Sequence, residues 1–118
     1  TGTFANGGAC IAFTDQNRTS GSSGNITIKN CTFATENTYY NIYAHYSGNG
    51  DFVIENNTFK SQFAAGGPVY LGRYQSSTPV VVKNNTFVGA TQLSDVVYVQ
   101  DHSNYGVSVN AENNTFTE

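Results

Sequence analysis

The sequence contains few charged residues and no long apolar run. Charged residues make up 11% of its 118 residues, and the formal net charge is −3. Binding to nucleic acid or to an anionic membrane surface calls for clustered Lys and Arg, which are missing here. No apolar run approaches the roughly 18 residues that a membrane span needs. We therefore expect no nucleic-acid partner and no insertion into a membrane.

Several motifs of catalytic and metal sites are also absent. The sequence has no serine elbow, no phosphate-binding Gly loop, no acidic calcium cluster and no Cys/His grouping with metal-ligand spacing. Its acidic residues are scattered, so the paired carboxylates of a glycoside hydrolase are not evident. We expect neither a metal nor a cofactor, and we expect the protein not to be an enzyme.

The residues that are abundant favour a β-protein. Tyr and Phe occur eight times each, together with many Gly, Asn, Ser and Thr residues, which is typical of secreted β-proteins. No stretch has helical periodicity. The chain starts at Thr1 without a signal peptide, which indicates a processed or excised segment. These observations predict an extracellular or cell-surface location.

A short refrain organises the chain: alternating apolar residues followed by Asn-Asn-Thr-Phe. It occurs at 26–33 (with Cys31 as its second corner residue), 52–59, 80–87 and 109–116, and a truncated copy occupies 1–4. The Phe residues of the refrain are Phe4, Phe33, Phe59, Phe87 and Phe116, so successive steps are 29, 26, 28 and 29 residues. A period in this range indicates a solenoid with one supersecondary unit per repeat.

Each period contains three strand patterns, which predicts a single all-β domain over residues 1–118. The refrain supplies a strand ending at the Asn pair and a short Thr-Phe strand after a sharp turn. A third strand, rich in Tyr and Val, is predicted at 39–46, 68–74 and 95–101. The fold class is therefore a right-handed parallel β-helix of about four to five coils, with 26–29 residues and three strands per coil.

The repeat places equivalent residues above one another, about 4.8 Å apart. Alternation predicts an aliphatic interior and an internal stack of the five Phe rings. The predicted inward pairs are Ile26/Ile28, Phe52/Ile54, Val80/Val82 and Val109/Ala111 in the refrain, and Ile42/Ala44, Val69/Leu71 and Val97/Val99 in the third strand. The residue before the Asn pair points outward and alternates in charge, in the order Lys29, Glu55, Lys83 and Glu112. This alternation supports the register and solubility rather than catalysis.

The corner and the cysteines carry structural interpretations. A tight corner needs a residue in the left-handed region, where Asn and Gly are best tolerated, and stacked Asn amides can form a hydrogen-bonded ladder. Either Asn of the pair can hold the turn. Cys10 and Cys31 occupy unlike places in the repeat, so two small buried thiols are favoured over a disulfide.

Outward residues of the third strand form the candidate ligand-binding surface. Tyr43, Tyr70 and Tyr98 are predicted to form one exposed column, a flat platform for sugar rings or a protein partner. The alternative is that the rings only stabilise neighbouring repeats. The same edge carries Tyr46, Tyr74, His45, Arg73 and Asp101, with His102 nearby. Arg73 and Asp101 are expected to form a surface ion pair, rather than an acid–base cluster acting on a polysaccharide.

Six Asn-X-Ser/Thr sequons are candidates for glycosylation. Four of them belong to the refrain, at Asn30, Asn56, Asn84 and Asn113, and we expect neighbouring coils to enclose them partly. Asn17 and Asn25 are therefore the accessible glycan sites. An unglycosylated prokaryotic protein fits the sequence equally well.

The refrains Ile-Thr-Ile-Lys-Asn-Cys-Thr-Phe and Val-Val-Val-Lys-Asn-Asn-Thr-Phe resemble the coils of right-handed parallel β-helix proteins of the pectate-lyase-like superfamily. Similar repeats occur in bacterial and archaeal surface and adhesin-like proteins. The resemblance implies a non-catalytic structural or adhesive module, such as a filament or sheath component. The alternative is a fragment of a polysaccharide lyase or glycoside hydrolase. The clustered aspartates, His-Gly and Arg-X-Lys motifs of those enzymes are missing, so no catalytic residue carries over.

Both ends of the sequence cut the repeat at nearly the same phase, and neither end shows a capping segment. Open ends of a solenoid need a cover. We therefore expect either a longer parent solenoid or copies that stack head to tail.

Overall fold

The computed structural model describes residues 9–14, 25–34, 40–47, 50–60, 68–74, 78–99 and 108–117. This part of the chain is all-β apart from one short 3-10 helix, Leu93–Asp95. The strands are β1 (Ala9–Thr14), β2 (Ile26–Lys29), β3 (Thr32–Phe33), β4 (Tyr40–Ser47), β5 (Phe52–Glu55), β6 (Thr58–Phe59), β7 (Val69–Tyr74), β8 (Val80–Lys83), β9 (Thr86–Val88), β10 (Val97–Val99), β11 (Val109–Glu112) and β12 (Thr115–Thr117).

The strands of the described residues form three parallel sheets of four, and each repeat contributes one strand to a sheet. The Tyr sheet has the order β1-β4-β7-β10, the long refrain sheet β11-β8-β5-β2, and the short refrain sheet β12-β9-β6-β3. All pairings are parallel, and each strand lies beside its equivalent in the next repeat. This arrangement is consistent with a β-solenoid. The strand expected at 95–101 begins later than predicted, at Val97, because Asp95 belongs to the 3-10 helix and Val96 is its C-cap. Residues 100 and 101 lie outside the described residues.

The register agrees with the spacing of the refrain. Lys29 pairs with Glu55, Glu55 with Lys83, and Lys83 with Glu112. Within the described residues, Lys83 Nζ and Glu55 Oε2 form the ion pair of this column, at 3.4 Å. Both side chains keep solvent contact, at 34% and 24% exposure, so the pair contributes little to stability. The charge column therefore supports the register of neighbouring strands and adds little to the free energy of unfolding.

The interior is formed by the alternating apolar residues of all three sheets. Ile28, Ile54 and Val82 are buried in the long refrain sheet, and Val69 and Leu71 are buried in the Tyr sheet. β-Branched and aromatic residues suit such pleated, buried strands. The prediction that Ala111 lies inside is wrong: it is exposed, while Val109 beside it is half-buried. The reason is that β11 lies at the edge of its sheet.

The Phe residues of the short refrain sheet form the internal stack that the sequence predicts. Ring centroids are 4.8 Å apart for Phe33 and Phe59, 4.9 Å for Phe59 and Phe87, and 5.5 Å for Phe87 and Phe116. The rings are parallel within 14°. Phe4 lies outside the described residues.

The first Asn of each pair makes the corner. Asn30, Asn56, Asn84 and Asn113 have φ angles of 58°, 56°, 57° and 56°. This is the left-handed region, where Asn is one of the few non-Gly residues found routinely. The sequence left open which Asn of the pair adopts the left-handed conformation. It is the first Asn, and the second Asn forms hydrogen bonds in the interior.

The second Asn points inward and forms a ladder. Asn85 Oδ1 accepts hydrogen bonds from the backbone N–H and Nδ2 of Asn57, at 3.0 and 3.1 Å. Asn85 Nδ2 donates to Ile54 O at 3.0 Å and to Asn114 Oδ1 at 3.2 Å. Asn57 and Asn85 are each only 1% exposed. Buried amides need such complete pairing, because an unsatisfied polar group costs about 1–3 kcal/mol.

Cys31 occupies the same slot in its repeat without an amide to contribute. Its backbone N–H donates to Asn57 Oδ1 at 2.9 Å, and its Sγ contacts Lys29 O at 3.2 Å. Cys10 Sγ accepts a hydrogen bond from Asn41 Nδ2 at 3.6 Å. Both cysteines are free, in agreement with the prediction, but they are half-buried rather than fully buried.

Candidate functional site

The candidate site is the outer face of the Tyr sheet. Tyr43, Tyr70 and Tyr98 pair in register on β4, β7 and β10. Their neighbours Ile42, Ala44, Val69, Leu71 and Val97 are buried, so alternation turns the three Tyr side chains outward. The structure therefore brings together the column that the sequence predicts.

The three Tyr rings stack on one another. Ring centroids are 4.7 Å apart for Tyr43 and Tyr70 and 5.1 Å for Tyr70 and Tyr98, with interplanar angles of 15° and 16°. Stacked rings direct their faces at one another and present their edges outward, which differs from the flat platform expected from the sequence. Tyr98 lies at the end of the described column and is 52% exposed. It is the ring in this column with the most surface left for a ligand.

A fourth ring, Tyr40, joins the column and was not predicted. Its centroid lies 5.6 Å from that of Tyr43 and 5.2 Å from that of Tyr70, with the rings tilted by 43° and 57°. We call Tyr40, Tyr43, Tyr70 and Tyr98 the Tyr cluster.

A local irregularity in β4 explains the position of Tyr40. The N–H groups of Asn41 and Ile42 both donate to Pro68 O, at 2.8 and 2.9 Å. Both side chains are fully buried, so two consecutive residues point inward, as in a β-bulge. Tyr40 and Tyr43, three positions apart, consequently share the outer face. Strict alternation could not predict this; the one hint was the polar Asn41 within an apolar strand.

His45 lies beside the column. Its ring centroid is 6.2 Å from that of Tyr43 and 6.3 Å from that of Tyr70. The residue opposite it on β7 is Gly72, which has no side chain to compete for this space. His45 therefore belongs to the same surface as the Tyr rings, as predicted.

The other predicted site residues are located only in part. Tyr46 pairs with Arg73, and Ser47 with Tyr74, so the backbone register agrees with the sequence alignment. The side chains of Tyr46, Arg73 and Tyr74 are not among those described. Asp101 and His102 lie outside the described residues, so the ion pair between Arg73 and Asp101 stays a prediction.

A small polar turn precedes Tyr98 in the chain. Asp95 Oδ1 accepts a hydrogen bond from Gln92 Nε2 at 3.2 Å, and Oδ2 accepts one from Thr91 Oγ1 at 3.1 Å. The side-chain hydrogen bond from Gln92 is the main reason that the pKa of the Asp95 carboxyl is lowered below its ordinary value. Desolvation opposes this effect, and the hydrogen bonds from Thr91 add to it. Thr91, Gln92 and Asp95 were not among the predicted site residues.

The sequons of the refrain are placed differently from the prediction. Asn30, Asn56, Asn84 and Asn113 are exposed, so the expectation that neighbouring coils enclose them is wrong. The corner turns the first Asn of each pair outward and the second one inward. Asn25 is exposed too, and its Oδ1 accepts the N–H of Asp51 at 2.9 Å. Asn17 lies outside the described residues.

Two further properties concern only the described part of the chain. It contains no group of three or more His, Cys, Asp or Glu side chains placed to hold a metal ion. No helix there is long and apolar enough to cross a membrane.

Comparison with known proteins adds no relative. No family model matches the chain, and neither a curated protein nor a solved structure matches it significantly.

Proposed function

We propose that the protein is a right-handed parallel β-helix of the pectate-lyase-like kind, with about four to five coils of 26–29 residues. The three parallel sheets and their register support this architecture. Parallel strands joined by crossover connections are nearly always right-handed, which supports the handedness. Each strand of a sheet then belongs to one coil, and the Asn pair forms the corner between the two refrain sheets.

Its role is that of a non-catalytic structural or adhesive module at the cell surface or outside the cell, such as a component of a filament or sheath. The observation that carries this proposal is the Asn ladder, in which each buried amide is bonded to the repeats on either side, as Asn85 is. A solenoid of this kind is stabilised mainly by contacts between neighbouring repeats. Such a stack of repeats suits a protein that displays a surface along its repeats.

The Tyr cluster is the proposed contact surface, for a glycan or a protein. Tyr98 is the preferred point of contact because about half of its surface is free. Binding of soluble polysaccharides, measured by calorimetry, tests this. We expect Tyr98→Ala to weaken binding and Asn110→Ala, an exposed change on the long refrain sheet, to leave it unchanged. Equal binding by the two variants would contradict the assignment.

The second candidate is a fragment of a polysaccharide lyase or glycoside hydrolase. It is favoured by one observation, the half-buried His45 beside the stacked rings, since an imidazole is a common general acid or base. A turnover assay with a panel of polysaccharides separates the candidates. Cleavage by the unmodified chain that is lost in His45→Ala, Arg73→Ala or Asp101→Ala would reject the non-catalytic role.

Self-assembly is part of the structural proposal. In the described part of the chain, β10, β11 and β12 form one edge of the three sheets, and β1, β2 and β3 form the other. Edge strands are templates for further pairing. Another copy of the chain, added head to tail, extends the sheets without closing them. Sizing and electron microscopy of the purified chain test this, with concentration-dependent fibres expected. A monomer that persists at all concentrations would contradict this part of the proposal.

A further inference from the structure

Tyr70 is surrounded by phenol rings to an unusual degree. The centroids of Tyr43, Tyr98 and Tyr40 lie 4.7, 5.1 and 5.2 Å from that of Tyr70. Two of these neighbours are nearly parallel to it, and the third is tilted by 57°. Each stacked pair joins two adjacent strands of the Tyr sheet.

We propose that the Tyr cluster is a site of oxidative cross-linking, in which Tyr70 forms a dityrosine bond with Tyr43 or Tyr98. The bond would link side chains of neighbouring repeats covalently. This inference goes beyond the structural role proposed above and depends only on the geometry of the rings. The oxidant is a one-electron system, such as a peroxidase with hydrogen peroxide.

Formation of one dityrosine bond consumes one hydrogen peroxide. Each of the two phenols loses one electron and one proton, and one hydrogen peroxide takes up both electrons and both protons to give two molecules of water. The two phenoxyl radicals pair their electrons in a new carbon–carbon bond between positions ortho to the oxygens. The hydrogens on these carbons leave as protons, and both oxygens regain a proton, which restores the two aromatic rings. The cross-linked protein has lost two hydrogen atoms.

Face-to-face stacking favours this bond. The unpaired electron of a phenoxyl radical occupies the π system, whose lobes project from the ring face. In the pairs Tyr43–Tyr70 and Tyr70–Tyr98, these lobes point at the neighbouring ring. Holding two reacting groups in an aligned geometry replaces a bimolecular encounter by an intramolecular step, with a large gain in rate. Tyr40 is close to Tyr70 but tilted, so its lobes are not aligned in this way.

The outermost ring gives the oxidant access. Tyr98 is 52% exposed, while Tyr43 and Tyr70 are half-buried. The acidic and basic residues of the charge column lie on a different sheet, the long refrain sheet. An oxidant can therefore approach the Tyr sheet without displacing them.

Tryptic peptides distinguish the partners. Cleavage after Lys60 and Arg73 gives the peptide 61–73, in which Tyr70 is the single tyrosine. The peptide 30–60 contains Tyr43 together with Tyr39, Tyr40 and Tyr46, and the peptide 84–118 contains Tyr98 and Tyr105. We expect peroxidase and hydrogen peroxide, applied to dilute folded chain, to produce dityrosine fluorescence. Mass spectrometry should find 61–73 joined to 30–60 or to 84–118.

Conservative variants test the geometry without removing a ring. Tyr70→Phe should lower the yield of intramolecular dityrosine about tenfold, because Phe keeps the stack but forms no phenoxyl radical. Tyr43→Phe should remove the link between 61–73 and 30–60. Tyr40→Phe is the matched control and should leave that link in place. Circular dichroism checks that all three variants stay folded.

Three outcomes would overturn the proposal. One is a folded chain whose cross-links mostly omit peptide 61–73. Another is the same distribution of links in the urea-unfolded chain as in the folded one. The third is a link between 61–73 and 30–60 that is lost in Tyr40→Phe and kept in Tyr43→Phe, since proximity without stacking would then decide the partner.

Discussion

Two aromatic columns run along the protein with nearly the same geometry and different surroundings. The inner column, centred on Phe59, has ring spacings of 4.8 and 4.9 Å, and the outer column, centred on Tyr70, has spacings of 4.7 and 5.1 Å. Phe59 is 1% exposed, whereas Tyr70 is half-buried. Strand spacing in a parallel sheet is itself about 4.8 Å. The backbone therefore sets the ring spacing of both columns. Burial determines how much each column contributes to the free energy of unfolding.

The comparison separates evidence for fold from evidence for function. Any residue that recurs in register in a parallel sheet is stacked on its copies, so stacking alone does not indicate a binding site. The departures from regularity are more informative. On the Tyr sheet they are the bulge at Asn41, the additional ring of Tyr40 and the exposed ring of Tyr98.

The largest expected effect is the contrast between the two central rings. Phe59→Ala removes a buried ring and leaves a cavity, which should lower the free energy of unfolding by about 3–5 kcal/mol. Tyr70→Ala removes two stacked contacts from a half-buried ring, each worth about 0.5–1.5 kcal/mol, so we expect a smaller loss. Urea denaturation of both variants measures the difference. Equal losses would show that the outer column stabilises the fold as much as the inner one.

The next effect concerns the second Asn of the corner. Asn85→Ala leaves Ile54 O and the N–H of Asn57 without their buried partner, so we expect a loss of about 2–4 kcal/mol. Asn110→Ala makes the same change at an exposed position of β11 and should cost less than about 0.5 kcal/mol. Denaturant unfolding of the pair checks this. If Asn85→Ala were as stable as Asn110→Ala, the ladder would be dispensable.

A smaller effect is expected at the first Asn of the corner, where the backbone conformation matters. Asn84 has a φ of 57°, which a β-branched side chain adopts only with strain. Asn84→Val should therefore lose about 1–2 kcal/mol, whereas Asn84→Gly should stay within about 0.5 kcal/mol of the parent. Thermal unfolding of both variants is the measurement. A Gly variant less stable than the Val variant would mean that the Asn84 side chain, not its backbone, matters.

The smallest effect is expected in the charge column. Glu55→Gln removes the partner of Lys83 at 3.4 Å, yet a solvent-exposed pair is worth less than about 1 kcal/mol. The difference in stability between parent and variant should shrink further as salt is added. A large loss that salt does not reduce would place this column among the main stabilising contacts.

The spacing of the refrain predicted the all-β architecture and the register, because identical residues in a parallel stack must pair with themselves. The Lys29–Glu55–Lys83–Glu112 order and the Phe stack followed directly. The corner could not be assigned, because two adjacent Asn residues look alike in sequence and differ only in backbone conformation. The enclosure of the refrain sequons was predicted wrongly for the same reason.

The candidate site was less predictable than the fold. Alternation identified Tyr43, Tyr70 and Tyr98, but it missed Tyr40, since a bulge changes the count of inward residues. Sequence also could not show which way the rings face, because ring orientation follows from the neighbours on both sides. Instead of the flat platform expected for sugars, the column presents ring edges to the solvent, and the ring of Tyr98 at its end is exposed.

The Asn ladder also gives the molecule a direction. Asn57, Asn85 and Asn114 each send Nδ2 back to a carbonyl of the preceding repeat, at Ile28, Ile54 and Val82. Cys31 only has to offer a backbone N–H to Asn57, so the first described member needs no amide. A further repeat placed after the one that contains Asn114 would supply its own Asn Nδ2 to bond a carbonyl of the repeat before it. An added repeat that keeps the second Asn could therefore join the ladder in the same way.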